Sequence, residues 1–213
     1  METIKETDRN IELQITYLEI ISLACIDSIS KSGIPKYQDR VINEFYSPNS
    51  SPLLKSLVSF HLHKERNSGN SVYVCFGKDR KVSEADFVEG NPVLGKDGLG
   101  EKNEVKSISL HGKLYYSLEH LCKLGESVPE IDILLEYIVA ALNLYYSLFH
   151  GRNKHALQKI EGLGLDYELV SHCIKSKEIN LKVKKSFILL YEALFINVKP
   201  FQSISKNISR CYM

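Results

Sequence analysis

The sequence predicts a mainly helical fold: about eight α-helices, arranged as a bundle or an irregular, armadillo-like solenoid, with a β-hairpin inserted near 72–88. Three observations predict it. Apolar residues recur at steps of three and four through most of the chain, the spacing that keeps side chains on one helical face. The breaks between those segments fall at glycine or proline, so successive helices should be antiparallel neighbours. One stretch, Val72 to Phe76, is instead a run of β-branched and aromatic residues. Periodicity leaves bundle and solenoid both open, and the lack of a clean sequence repeat counts only against a regular consensus solenoid.

In chain order, Ile11, Ile15, Leu18, Ile21, Cys25 and Ile29 define a first helix to about Ser30, ended by Gly33 and Pro35. A second runs from about Lys36 to Tyr46 with Tyr37, Val41, Ile42 and Phe45 inward, and Pro48 and Pro52 bracket the next turn. Leu53, Leu54, Leu57, Val58 and His61 suggest a third. After the polar break ERNSGNS comes the strand VYVCF, with Lys81 to Val88 as a returning strand or a short helical turn. Residues 89–104 hold Gly90, Gly95, Gly98, Gly100 and Pro92, the composition of a flexible surface loop. Helical spacing resumes near Val105 and runs to about Leu124, before Gly125.

The segment from Ile131 to Phe149 carries the strongest signal. Ile131, Leu134, Leu135, Ile138, Leu142, Tyr145 and Phe149 form one stripe, while Ile133, Val139, Ala140, Leu144 and Tyr146 extend apolarity to the far side. Such a helix must be enclosed by neighbours. Its charge-free core, Tyr137 to Phe149, is 13 residues, short of the ~20 that a membrane span requires, so no direct membrane insertion is expected. Helices over Arg152–Ile160, Asp166–Ile174 (with Asp166 as N-cap) and Asn180–Val198 complete the set. Phe187, Leu190, Tyr191, Leu194 and Val198 are the last stripe, and Pro200 stops it.

At 213 residues the chain can bury one core, and 1–213 reads as a single domain. Lys plus Arg at 27 against Asp plus Glu at 26 leaves a net charge of +1, too small a field for nucleic-acid binding. The five cysteines, Cys25, Cys75, Cys122, Cys173 and Cys211, are odd in number and mostly sit in apolar runs, which suits free thiols in a reducing compartment. The polar start METIKETDRN lacks a secretory h-region and the Arg- and Ser-rich pattern of a transit peptide.

No chemistry-bearing motif survives inspection. Gly90 to Asp97, GNPVLGKD, has Asp97 where a P-loop needs a hydroxyl for magnesium, Pro92 removes an amide from the cradle, and Gly98 and Gly100 oppose the following helix. His61 with His63, and His120 with Cys122, are spaced by two, which on a helix points the side chains apart, and no CxxC or HxxxH is present. No nucleophile elbow or HExxH accompanies the cysteines and histidines, so no enzyme, metal or cofactor is expected. KSKEINLKVKK, Lys175 to Lys185, could meet an inositol phosphate, an acidic lipid or an acidic partner. Its plainer role is a helix end cushioned by Lys175 and Lys177, with Lys182, Lys184 and Lys185 in solvent. Tyr115, Tyr116, Tyr145 and Tyr146, at helical spacing, read as core and seam. In LFHGRNKHALQKIEGLGLDYELVSHCI, residues 148–174, Gly151 and the Gly162–Gly164 pair fall where helices must part. His150, His155 and His172 lie in that joinery.

Three stretches also carry a family pattern in order: YLEIISLACIDSISKSGIPKYQDRVINEFYSPNSSPLLK at 17–55, VYVCFGKDRKVSEADFV at 72–88, and LYYSLFHGRNKHALQKI, LDYELVSHCI and INLKVKKSFILLYEAL toward the C-terminus. Together the chain resembles the RIH domain, the ryanodine and inositol trisphosphate receptor homology module, and within it the inositol trisphosphate receptor branch. Two departures stand out. The hairpin lacks the family's tryptophan, and Asn197-Val198-Lys199-Pro200 stands where relatives carry an acidic, arginine-containing turn. The resemblance implies an armadillo-like module with neighbouring domains and subunits of a tetrameric calcium-release channel as partners, on the cytoplasmic face of the endoplasmic reticulum. It also implies that ligand site and pore lie in regions with no counterpart here.

Overall fold

The computed structural model describes residues 2–32, 36–46, 60–64, 71–76, 107–110, 113–151, 153, 155–156 and 165–196. These are mostly helical, with one small sheet. Helices α1 (Glu2–Ser32) and α2 (Lys36–Tyr46) precede strands β1 (Phe60–Lys64), β2 (Val72–Phe76), β3 (Ser107–Leu110) and β4 (Lys113–Ser117). Then come α3 (Leu118–Gly125), α4 (Pro129–Phe149), α5 (Tyr167–Lys175) and α6 (Leu181–Tyr191), which runs on as a π-helical turn over Glu192–Ile196. Among the described residues there are six α-helices, against the eight or so that the spacing predicts.

Helix α4 organises the packing, as its all-round apolarity requires. Pro129 opens it, where a missing amide donor costs nothing, and Glu130 and Asp132 place negative charge at its N-terminal end. Ile131, Leu135, Ile138, Leu142, Tyr145 and Phe149 are buried along one side, and Tyr137, Ala141, Leu144 and Leu148 along another. Helices α1, α2, α3, α6 and the π-helical turn all pack against it. By length and composition this 21-residue helix could cross a membrane. Most of it is instead buried inside the protein.

The first stripe lies as its spacing predicts: Ile11, Leu18, Ile21 and Cys25 are buried, and Ile15 packs half-buried beside them. The helix itself is longer than expected, spanning 31 residues. In α2, Val41, Ile42 and Phe45 point inward as read, but Tyr37 is exposed and Gln38 takes the inner place. Gln38, Val41, Ile42 and Phe45 are the true stripe at steps of three, one and three; a polar residue sits in it for a reason given below. Helix α5 starts on Asp166, whose Oδ1 accepts from the Leu169 amide at 2.8 Å, and α6 starts on Asn180, which accepts from Val183 at 3.0 Å. Both are ordinary N-caps.

The β structure is more extensive than a single hairpin. Four antiparallel strands lie in the order β1-β2-β4-β3. The strand expected at 72–76 is present, but its partners are β1 and β4; the expected return over 81–88 lies outside the described residues, as does the 89–104 loop. His61 therefore sits on a strand rather than a helix, and the helical spacing read from Val105 to Leu124 gives way to strands up to Ser117 and a helix only from Leu118. Tyr115 and Tyr116 are strand residues. Both mistakes share a cause, since apolar runs of four or five fit a period of two as well as one of 3.6. Leu62, Val74 and Tyr116 stand opposite one another across three strands and all join the main core, which settles the register.

A close joint between helices is at Gly125, the last residue of α3. A Cβ there would come within 2.5 Å of Cδ1 of the fully buried Leu135 on α4. Gly125→Ala is expected to lower stability by about 1–3 kcal/mol through overpacking. In urea melts, adding Leu135→Ala to that background should cost less than Leu135→Ala does in the parent chain, because each change relieves the other's misfit.

Candidate functional site

Two polar nodes among the described residues gather groups of the types that do chemistry. The first sits at the C-terminal end of α4. His150 closes the helix with its amide on the Tyr146 carbonyl, and Gly151 takes φ 73, a left-handed conformation that favours glycine. The fully buried Gln38 of α2 donates from Nε2 to the carbonyls of Ser147 and His150. Its Oε1 accepts from Asn153 Nδ2 at 3.2 Å, and that same amide donates to Asp39 Oδ1 at 3.0 Å. Asn153 Oδ1 accepts from the amides of His155 and Ala156 at 3.0 and 3.2 Å, capping the helical residues that begin there. His155 Nδ1 lies 3.4 Å from Asp39 Oδ1.

The side-chain amides of Gln38 and Asn153 are fully partnered within the structure. Gln38 supplies donors for carbonyls that a helix end leaves without amides, and Asn153 converts the glycine turn into a new helical start. Two histidines of the 148–174 stretch serve the joint: His150 rests its ring 5.4 Å from that of Tyr146, and His155 faces Asp39.

The second node joins sheet to helix. Glu119, in the first turn of α3, accepts the Val72 amide with both oxygens at 3.1 and 3.3 Å and the Ser117 hydroxyl at 3.2 Å. Ser117 also caps α3 by accepting from the His120 amide. His172 Nε2 of α5 approaches Glu119 Oε1 at 3.6 Å, and the buried Cys122 and Cys173 lie close enough to Glu119 to feel its charge. Carboxylate, imidazole and thiol thus meet, the residue types of a cysteine nucleophile with its base.

The electrostatics run against that use. Burial pushes the Cys173 thiol well above its ordinary value, and Glu119 and Cys122 push it further the same way. Burial likewise raises Cys122 to about 11, helped by Glu119 and Glu126 and opposed by a backbone hydrogen bond and Lys184. An activated thiol needs the opposite shift. Among the described residues no group of three or more His, Cys, Asp or Glu side chains is placed to hold a metal ion.

The remaining sequence candidates disperse. Cys25, Cys75, Cys122 and Cys173 are free and buried. His63 packs its ring edge-on to Tyr115 at 6.0 Å, in a strand where the helical objection to a His61–His63 pair does not apply. In the lysine-rich run, Lys175 occupies the last turn of α5 as read, but Lys182 is not simply in solvent: it bonds Glu136 on α4 at 2.6 Å and lies 4.0 Å from Asp132. Ser186 donates to Asn143 at 2.9 Å beside it. Gly162, Gly164, the Gly90–Asp97 segment and Cys211 lie outside the described residues. Sequence reasoning missed Asn153, Gln38 and Glu119: an asparagine two positions after a glycine is a capping signal that could have found the first, whereas the partners of the other two are distant in the chain. The chain matches no protein-family model, and no curated protein is significantly similar to it.

Two outcomes are expected from these nodes. Asn153→Ala should destabilise by about 1–3 kcal/mol, leaving Gln38 Oε1 buried without its donor, and in chemical denaturation the double variant with Gln38→Ala should cost less than the sum of the singles. The thiols set an alkaline limit. Cys25 and Cys122 stand at about 11, raised by burial from an ordinary 9.0, so the unfolded chain loses these protons first. Their stabilisation is complete below pH 9 and falls as pH rises toward 11, by up to about 1.4 kcal/mol per pH unit per thiol. Urea midpoints measured under reductant from pH 8 to 10 should fall with pH, and fall less steeply in Cys25→Ala/Cys122→Ala.

Proposed function

We propose that the chain is a helical module of an inositol trisphosphate receptor-like intracellular calcium-release channel, one that relays ligand-induced movement between neighbouring domains and holds neither ligand site nor pore. The observation that carries this reading is the placement of its most specific markers. LYYSLFHGRNKHA, LDYELVSHCI and INLKVKKSFILLYEAL, successive in the sequence, supply the end of α4, the Asn153 joint, α5 and α6. Each serves as core, cap or strut. A relay needs stiff elements joined at discrete seams, and the Gln38–Asn153 and Glu119 nodes are such seams. An armadillo-like arrangement belongs to the same proposal, with α4 as the buried helix on which the others dock.

A stand-alone helical scaffold is the second reading. The exposed apolar outer face of α1 favours it, because an interaction domain needs such a surface. Reading the transcript on both sides of this frame separates the two. The channel requires a β-trefoil upstream and a cluster of membrane-spanning helices downstream, and flanking stop codons would sink it. Calorimetric titration of the 213-residue chain with inositol trisphosphate should give no saturable heat. Micromolar binding would overturn the placement of the ligand site elsewhere.

A further inference from the structure

Helix α1 has two apolar faces. One is the buried stripe against α4; on the opposite side Leu13, Tyr17, Ile20 and Leu23 are 67%, 59%, 60% and 68% exposed. They follow steps of four, three and three, so they form one continuous ridge of about 15 Å. Single exposed apolar residues are ordinary on any protein, but four in helical register are not. Between Ile11 and Asp27 the helix carries Glu12, Glu19 and Asp27 and no lysine or arginine. Glu12 and Glu19 are exposed, seven residues apart, and border the ridge on the same side.

Helix α6 carries the matching surface. Leu181 and Ile188 are 80% and 50% exposed, seven residues apart on its outer face, with the exposed Lys185 at the step between them. Lys177, just before the helix, is also exposed, and Lys184 flanks the face half-buried; Glu178 and Glu192 are exposed acidic residues at its two ends, so three lysines stand against two carboxylates. Both helices pack on α4 with their inner sides, so both ridges point away from one shared body.

We propose that the outer face of α1 docks on the outer face of α6 of a second copy of this chain. The contact sets an apolar ridge with acidic borders against an apolar face on which lysines outnumber carboxylates. Charge favours this pairing over the symmetric one on α1, which would set carboxylates against carboxylates with no described cation between them. A contact between two different faces is heterologous, and repeats into a ring where its rotation closes or a filament where it does not. It rests on no part of the channel reading, and holds equally for a scaffold.

Sedimentation velocity on the full 213-residue chain tests it. Between about 1 and 100 μM, the range of a modest interface, the parent should move from monomer to larger species. Leu13→Ser/Ile20→Ser should weaken that association at least about tenfold, as removing two central contacts does. Charge exchange is the decisive arm. Glu12→Lys/Glu19→Lys alone and Lys177→Glu/Lys185→Glu alone should each stay monomeric, because like charges now meet at the contact. An equimolar mixture should assemble again, because each variant then offers the other a face of opposite charge. All four substituted positions are exposed, so thermal melts should match the parent. A parent that stays monomeric across the range, single variants that assemble as the parent does, or a mixture that remains monomeric would overturn the proposal.

Discussion

A helix that is apolar round most of its circumference has no stable position at a protein surface, and Pro129–Phe149 is such a helix. Enclosing it is the constraint from which the rest of the fold follows. Helix α1 lies along it with Cys25 beside Ser147, α3 closes on it through Gly125 and Leu135, and α6 meets its polar positions Glu136 and Asn143 with Lys182 and Ser186. Those polar positions matter because they give α6 one register on an otherwise greasy cylinder. The hydrophobic effect brings helices together without choosing a rotation; hydrogen bonds at fixed places choose it.

Where α4 ends, the chain must leave the core without stranding carbonyls. Gly151 turns it, Gln38 reaches across from α2 to serve the carbonyls of Ser147 and His150, and Asn153 starts the next helical residues while holding Gln38. At the other end of the core, Glu119 holds the first amide of β2 and meets His172 of α5, so one carboxylate fastens sheet, α3 and α5. Both nodes use residue types that catalysis also uses. Their partners and the raised thiol values fit them to architecture.

The sequence was most legible where one period dominated over several turns. The stripes of α1 and α4, and the cap Asp166, lay where spacing and capping chemistry put them. It was least legible in short segments. FHLHK and KLYYS each fit a helix by their immediate neighbours, and only pairing with Val72–Phe76 made them strands. Tyr37 looked like the inner residue of α2 because it is larger and more apolar than Gln38, yet the core at that point contained two helix-end carbonyls, and a buried acceptor without a donor costs more than a tyrosine left outside.

Local pattern therefore determined most of the helices, where most of them begin, and which helix lies at the centre. Those properties depend on residues within a turn or two of one another, and a linear sequence records them directly. Tertiary structure alone decided the four-stranded sheet, the exchange of Tyr37 for Gln38, the role of Glu119 as a fastener, and the exposure of a second apolar face on α1. The contacts of Gln38 and Glu119, and the pairing of β2 with β4, join groups 40 or more residues apart, and no local periodicity encodes which groups come to share a boundary with water or with one another.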